Sequence, residues 1–341
     1  MNPDARPTLA TIARAAGVSV PTVSKALNGR SDVAPATRQR IERLLDQSGY
    51  VRGSRADRGA VAPVIDVVID SLDNSWAASM LGGVEAACHD AGLGVVVSVA
   101  RAEDRRRAKP RWLDQAVARS SQGVLLCLVD LLPGHQSTLR RVNIPYVVVD
   151  PLTLPTADIP SVGATNWAGG LSATEHLIAL GHRRIAVIGG PSRLLYSRAR
   201  TDGYRAAMAR AGLGVPAGYV RYCRSDTHDG RQATRDLLEL DPRPTAIFAG
   251  SDPIALGAYR ALREAGVTVP AEISVVGFDD RPESRWTSPR LTTVHQPLDE
   301  MGATAVGLLA AAMRGQMPRT RRVELATSLI ERESTGPPPS P

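Results

Sequence analysis

Apolar side chains recur at two different periods along this chain, and the change of period divides it. Leu9, Ile12, Ala13 and Ala16 fall at the three- and four-residue spacing of a helix face until Gly17 breaks the run. Ser19 then stands where a helix N-cap is wanted, and Pro21 is tolerated in a first turn. Val23, Ala26 and Leu27 supply a second apolar face, ended by Asn28-Gly29. Two short helices joined by a tight glycine-containing turn predict a helix-turn-helix, whose second helix can lie in a DNA major groove. A third helix is expected over 36–49, with Pro35 in its first turn, Ile41, Leu44 and Leu45 facing inward, and Gly49 as its stop.

Beyond residue 62 the pattern changes. VIDVVID at 64–70 is a short apolar run bounded by Pro63 and Ser71, as a strand buried on both faces would be. Further strands are expected at 95–100, 123–129, 146–149, 185–189, 245–249 and 274–278. Between them helices are expected at 78–91, 112–120, 167–180, 199–211, 230–240 and 253–265. Repeated strand–helix units predict parallel sheets covered by helices on both sides. The units come as two successive sets, so the expected fold is an all-α helix-turn-helix head followed by an α/β body of two doubly wound parallel-sheet lobes. Ligands of such sheets bind beyond the carboxyl ends of the strands, here in the cleft between the lobes.

Composition narrows the function. With 43% apolar and 22% charged residues the chain reads as a soluble globular protein of 341 residues. No stretch approaches the ~20 apolar residues of a membrane span, and MNPDARPTLA has no apolar core like that of a secretory signal. A cytoplasmic protein without a membrane partner is therefore expected. Cys88, Cys127 and Cys223 are scattered and read as reduced thiols. No metal site is expected, because the six histidines form no HExxH or other ligand pairing. Charge is unevenly placed: residues 1–62 hold ten basic against five acidic side chains, whereas the remainder is nearly balanced. A basic head on a near-neutral body is the footprint of a nucleic-acid binder with a separate second function.

The motifs sharpen this. In the head stand Ala13, Ala16-Gly17-Val18-Ser19, Thr22-Val23-Ser24, Leu27-Asn28-Gly29, Val33, Thr37-Arg38, Ile41 and Gly49-Tyr50. In the body stand Leu180-Gly181-His182-Arg183-Arg184-Ile185, Gly203-Tyr204, Gly250-Ser251-Asp252, Val276-Gly277-Phe278-Asp279 and Leu291-Thr292-Thr293-Val294 ahead of Gln296-Pro297. From about residue 8 to 331 the chain thus resembles the lactose-repressor (LacI/GalR) family of bacterial regulators, with its periplasmic-binding-protein-like effector domain. The resemblance implies a DNA-binding domain at 1–51, a hinge or linker at 52–62, a two-lobed effector-binding and dimerisation domain at 63–331, and a tail at 332–341. It also implies double-stranded operator DNA as partner and a homodimer whose two heads reach two half-sites.

By the resemblance, Val20, Pro21 and Lys25 face base edges, while Thr8, Ser19, Thr22, Ser24 and Asn28 contact phosphates. The chemistry agrees. Val20 offers methyls to a thymine methyl, Lys25 can donate to guanine O6 and N7, and Pro21 acts only by shape. Thr22 and Ser24 equally suit local caps. Two departures stand out. Ala34 replaces the usual Ser or Thr cap of the third helix, which weakens that start by ~1 kcal/mol. In RGSRADRG at 52–59, Gly59 occupies the place of the family's minor-groove leucine. A glycine cannot part a base step, so a flexible linker is expected, with Arg52 and Arg55 following phosphates or a narrow minor groove.

In the cleft the resemblance nominates Trp76 as a ring-stacking aromatic and Arg200 with Asp279 as a polar clamp. Asp150, Ser251 and Gln296 sit at other strand ends. A guanidinium and a carboxylate converging on vicinal hydroxyls suit a sugar or nucleoside. Asp252, beside Pro253, reads as the N-cap of its helix. The family's Asn-Pro-aromatic-aromatic phrase is here Asn74-Ser75-Trp76-Ala77, one aromatic short, and Ser225 stands where an aromatic is common. A planar base held on both faces is therefore less suited than a sugar or polyol. The basic stretch 101–111 reads as a solvated face that also suits an acidic ligand. The Pro- and Ser-rich end from 332 is expected to be disordered; it lacks leucine heptads, so nothing in it suggests a tetramer.

The reading that follows is a ligand-responsive transcriptional repressor. A sugar-binding transport protein would account for the body but not for the basic head. An enzyme is not expected, since GxSxG, a P-loop and GxGxxG after the first strand are all missing, and no cofactor is implied.

Overall fold

Long apolar runs and short amphipathic ones fold separately here. The computed structural model describes residues 9–27, 33–48, 62–100, 110–317 and 319–340. The chain divides into two units, Met1–Val61 and Ala62–Pro341.

In the first unit, α1 (Leu9–Ala15), α2 (Val20–Leu27) and α3 (Pro35–Ser48) enclose one small core. Ile12, Ala13 and Ala16 meet Val23 and Ala26 there, closed by Val33 and Ile41. Gly17 turns the chain at φ +62°, and a Cβ there would touch nothing. The requirement is thus one of backbone conformation, not space. Ser19 caps α2 as expected: the Thr22 amide donates to its hydroxyl at 3.4 Å, and the two hydroxyls lie 2.8 Å apart. At Ala34 only the backbone carbonyl is engaged, by the Arg38 amide at 3.0 Å.

The second unit holds two six-stranded sheets. In the first lobe, β1 (Val64–Ile69), β2 (Gly94–Val99), β3 (Gly123–Cys127), β4 (Tyr146–Val149) and β5 (Ser161–Ala164) are joined by later β11 (Arg322–Leu325) in the order β11-β5-β4-β3-β1-β2. Between them run α4 (Ser75–Asp90), α5 (Arg111–Ala118) and α6 (Pro133–Arg141). In the second lobe, β6 (Ile185–Gly189), β7 (Val220–Tyr222), β8 (Ala246–Ala249), β9 (Ser274–Asp279) and β10 (Thr292–His295) are joined by β12 (Ser328–Ile330) in the order β12-β10-β9-β8-β6-β7. Its helices are α7 (Asn166–Ala179), α8 (Leu195–Arg210), α9 (Thr227–Leu238) and α10 (Asp252–Glu264). Every pairing described is parallel except β10 with β12. β3, β4, β6 and β8 are buried along their whole length, as strands covered on both faces must be.

The chain crosses between lobes three times: after β5, after β10 and between β11 and β12. At two of these crossings the strands are tied sideways. The Thr327 amide donates to the Thr165 hydroxyl at 2.9 Å, and the two hydroxyls are 3.1 Å apart. The middle crossing leads into α11 (Leu298–Met313), which returns to the first lobe and buries Leu298, Met301, Ala305 and Leu309 in its core. Nothing in the apolar pattern predicts α11, because its alanines and glycines blur the contrast between faces. α7 and α8 pack in close contact through glycine: a Cβ on Gly203 would lie 2.2 Å from the Trp167 carbonyl oxygen.

The end of the chain corrects the expectation of disorder from residue 332. Ser334 is fully buried; its hydroxyl donates to the Val275 carbonyl at 2.6 Å and accepts from the Thr292 amide at 2.8 Å. The Gly336 amide donates to the Ser274 hydroxyl at 3.1 Å, and its carbonyl lies 2.9 Å from His182 Nε2. Low hydrophobicity misled the composition argument, because this segment is held by hydrogen bonds to buried strand groups and not by apolar burial.

Two outcomes follow for stability. Truncation after Glu331 strands buried Thr292, Ser274 and His182 groups, each costing about 1–3 kcal/mol, so scanning calorimetry should show a marked fall in the melting temperature of the second unit; an unchanged value would show that the segment contributes nothing. Burial holds His182 and His176 below the ordinary histidine value of 6.5. The unfolded chain therefore binds these protons more readily, and the stability present above about pH 6.5 is lost as pH falls through the lowered folded-state values. Denaturant midpoints near pH 7.5 and near pH 5.5 should differ in that direction, and less so in His182→Asn.

Candidate functional site

Arg200 lies one and a half turns into α8, which starts at the carboxyl side of β6, and its side chain is almost wholly buried. A buried guanidinium has to be satisfied by hydrogen bonds. Its Nε donates to Asn166 Oδ1 at 2.8 Å, its Nη1 to the Gly250 carbonyl at 2.7 Å and to Asp279 Oδ1 at 3.1 Å, and its Nη2 to Gln296 Oε1 at 3.2 Å. The guanidinium carbon also sits 3.5 Å from the ring centroid of Phe278 and 5.1 Å from that of Tyr196, a favourable cation–π arrangement.

These partners come from the strand ends that the fold brings together. Asn166 opens α7 directly after the first crossing, Gly250 follows β8, Asp279 closes β9, and Gln296 sits on the middle crossing. From Gln296 the network reaches the first lobe, its amide donating to Asp150 Oδ2 at 3.4 Å. Asp150 and Asp279 both take positive φ, +48° and +111°, a strained geometry that turns strand-end carboxylates into the cleft. Burial pushes the Asp150 carboxyl above the usual carboxylate range, against the pull of Arg200.

Four of the six residues nominated in the cleft are thus brought together: Asp150, Arg200, Asp279 and Gln296. Ser251 adjoins them through Gly250; it is the N-cap residue of α10 but makes no side-chain cap bond, and its buried hydroxyl has no partner among the described residues. Trp76 lies elsewhere. It is 5% exposed and belongs to the first lobe's core cluster with Ile69, Met80 and Leu298.

Asp252 differs from its expected role as N-cap. It lies within α10, fully buried, accepting from the Thr293 hydroxyl at 2.6 Å and the Arg281 amide at 2.7 Å. Burial first, and the Asp279 charge second, push its carboxyl up. Its Oδ1 lies 2.3 Å from where a Cβ of Gly277 would be, so only glycine fits there.

Asn166, Tyr196 and Phe278 were not nominated from the sequence. For Asn166 a signal existed, since a polar residue opening the helix after a strand end is where such folds present ligand contacts. Tyr196 gave none, because its α8 face is set by tertiary packing.

Two cavities flank the network. One, ≈ 260 Å³, has Asp150, Asn166 and Tyr196 in its wall. The other, ≈ 240 Å³, has Asp279 and Gln296 in its wall and Ser75 from the opposite lobe. Across this second space Ser75 donates to Glu283 at 2.8 Å, so the lobes touch over the network.

In the head, α2 exposes Val20, Pro21 and Lys25, with Ser24 and Thr22 half-buried beside them and Ser19 exposed at the cap. These fall on the side away from the Val23–Ala26 core face. Thr8, Asn28, Arg52, Arg55 and Gly59 lie outside the described residues, as do most of the basic stretch 101–111 and nearly all of the linker. Among the described residues no helix is long and apolar enough to cross a membrane.

Residues 8–53 match the model of bacterial regulatory proteins of the lacI family, and residues 174–335 match that of the periplasmic binding protein-like domain. The ribose operon repressor of Escherichia coli (strain K12) is 33% identical over 330 residues, covering 96% of this chain and 99% of the relative. A solved complex of the transcriptional regulator CelR with cellobiose aligns over 96% of this chain and 100% of that one, at 32% identity and a TM-score of 0.74. A lac repressor dimer bound to operator and the anti-inducer ONPF aligns over 97% and 100%, at 28% identity and a TM-score of 0.75. With a helix-turn-helix head, two lobes crossed three times, and matches spanning nearly its whole length, this chain belongs to the lacI family of bacterial regulatory proteins.

Proposed function

We propose that this protein is a transcriptional repressor whose operator affinity is set by a small sugar or related polyol bound between its lobes. The Arg200 network carries the effector half of this reading. It gathers a fork of N–H donors, two carboxylates and an amide at the cleft, with the spare Ser251 hydroxyl beside them. That is the donor and acceptor set that grips vicinal hydroxyls. The ribose and cellobiose named for the relatives point to the same ligand class. In the conformation described, the network satisfies itself, and an effector replaces internal bonds with its own hydroxyls.

The head supplies the other half. Val20 and Pro21 present methyl and ring surface, leaving Lys25 as the hydrogen-bonding probe of base edges. Ser19, Thr22 and Ser24 are assigned to phosphates, with Ser19 and Thr22 also serving the local cap. Thr8, Asn28, Arg52 and Arg55 extend the phosphate contacts. The protein acts in the cytoplasm as a homodimer and has no catalytic role; its work is to exchange one binding equilibrium for another. Trp76 is assigned to support of the first lobe's cleft wall.

A mobility shift on the DNA upstream of its own gene tests the reading directly; failure to bind any palindromic site in a genome-wide selection would sink it. Lys25→Ala should cost about 1–3 kcal/mol at one base pair if Lys25 reads guanine, whereas a uniform loss over all sequences would make it a phosphate contact. Asp279→Asn and Arg200→Lys should abolish release by the effector while operator binding in its absence stays within about threefold of the parent. Loss of DNA binding with the fold intact would instead overturn the cleft assignment.

A further inference from the structure

Where β9 ends, two successive non-glycine residues take left-handed backbone, Asp279 at φ +111° and Asp280 at φ +55°. Such residues cost energy and persist only where their surroundings hold them. Asp279 is held by Arg200, as described. Asp280 is held from elsewhere. Its carboxylate, 4% exposed, accepts from Arg332 at 2.5 Å and from Arg285 at 3.4 Å, and lies 3.2 Å from His295 Nδ1. The Ser284 hydroxyl is 3.3 Å away but closer to the Arg281 carbonyl, at 2.7 Å. Arg285 and His295 are 62% and 43% exposed, and ion pairs so open to water hold little. Arg332 is only 11% exposed, and its rigid fork spans three points. Nη2 meets Asp280, while Nη1 donates to the Ser284 hydroxyl at 3.0 Å and to the Leu291 carbonyl at 2.8 Å. Its backbone is fixed as well, the amide donating to Thr292 Oγ1 at 2.9 Å.

We infer that Arg332, which bonds to no member of the Arg200 network, is a positioning residue for the effector clamp. It acts through Asp280: by holding that carboxylate it keeps the strained reversal in place, and the reversal aims the Asp279 carboxylate at Arg200. This rests on the sugar reading of the cleft. On that reading an effector exchanges the bond between Arg200 and Asp279 for its own, so Arg200 cannot be what orients Asp279 for the ligand. Arg281, whose Nε donates to Asp279 at 3.3 Å, belongs to the same reversal and moves with it. An anchor from outside is required, as supporting groups are for any site that must keep its geometry. The fork of Arg332 also pins Ser284 in the short 3-10 helix Pro282–Arg285, whose Glu283 takes the bond from Ser75 of the other lobe. One buried cation thus supports both the clamp and that contact between lobes. The rest of the C-terminal segment is anchored separately, through Ser334 on Val275 and Thr292.

The test uses the full chain with Arg332→Met, Arg332→Lys and, for comparison, Ser334→Ala. Two quantities are read: affinity for ribose and cellobiose by calorimetry, and the Nε–H resonance of Arg200 in isotope-labelled protein, recognised by its loss in Arg200→Lys. Arg332→Met should weaken sugar binding at least about tenfold and shift the Arg200 resonance in the sugar-free protein, with operator affinity within about threefold of the parent. Arg332→Lys, which keeps a charge beside Asp280, should bring both quantities most of the way back. Asp280→Asn, which weakens the same pair from the other side, should act as Arg332→Met does and replaces it if that variant does not fold. Ser334→Ala should lower the melting temperature and leave both quantities unchanged. If Arg332→Met matches the parent in both, Arg332 does not position the clamp. If Ser334→Ala disturbs them equally, the effect is general loosening and the inference fails; it fails too if Arg332→Lys is no better than Arg332→Met. If neither sugar binds the parent, the sugar reading loses its support, while the sugar-free Arg200 resonance still decides the role of Arg332.

Discussion

A buried positive charge is tolerable only where the fold supplies it with partners, and Arg200 is the group around which the second unit is arranged. The idealised cost of moving such an ion from water into a low-dielectric interior is about 20 kcal/mol, far beyond what one carboxylate returns. Four acceptors are therefore convergent on it, from α7, the β8 end, the β9 end and the middle crossing. None of the four is close to another in sequence. They meet because parallel strands ordered β9-β8-β6 end on one side of the sheet, and because α7 and α8 approach closely enough through Gly170 and Gly203 to set Arg200 beside Asn166. A Cβ on either glycine would clash with the backbone of the facing helix, at Arg200 or Trp167, and force the two helices apart.

The same network joins the lobes. Gln296 accepts from Arg200 on one side and donates to Asp150 on the other, so one of the links from second lobe to first is an amide on a crossing strand. The outer crossings are tied to each other by Thr165 and Thr327. On the proposed reading, a ligand that takes over bonds at Gln296 acts on a segment that joins the two lobes. A coupling of about 1–3 kcal/mol, the value of one or two such bonds, changes affinity elsewhere by 5–150-fold.

How much of this was legible beforehand follows from what each residue depends on. The parallel lobes were readable because strands buried on both faces must be almost continuously apolar: 123–127 and 185–189 are, and 64–69 is broken only by Asp66, which is buried against Arg119. Ser19 and Gly17 were readable because capping and positive φ are local requirements. Arg200, Asp279, Asp150 and Gln296 were found through resemblance; nothing in their spacing places them together. α11 and the 332–336 segment escaped for opposite reasons. The helix is apolar enough on all sides to lose its periodicity, and the segment is so polar that only its partners on β9 and β10 explain its burial. Asp252 shows the limit of a local rule, since a helix-start aspartate beside proline is a good cap until tertiary contacts from Thr293 and Arg281 claim it.

The self-satisfied state of the network bears on how tightly any effector can bind. Each hydroxyl that enters exchanges one good internal bond for another, so the clamp contributes specificity more than affinity. Net affinity then has to come from surface that is not already satisfied. Ser251 offers one spare hydroxyl, and the space along β5 offers an aromatic wall with no internal occupant. On the proposed reading recognition is divided: the Arg200 network selects the pattern of hydroxyls, and the adjoining surface supplies the rest of the affinity.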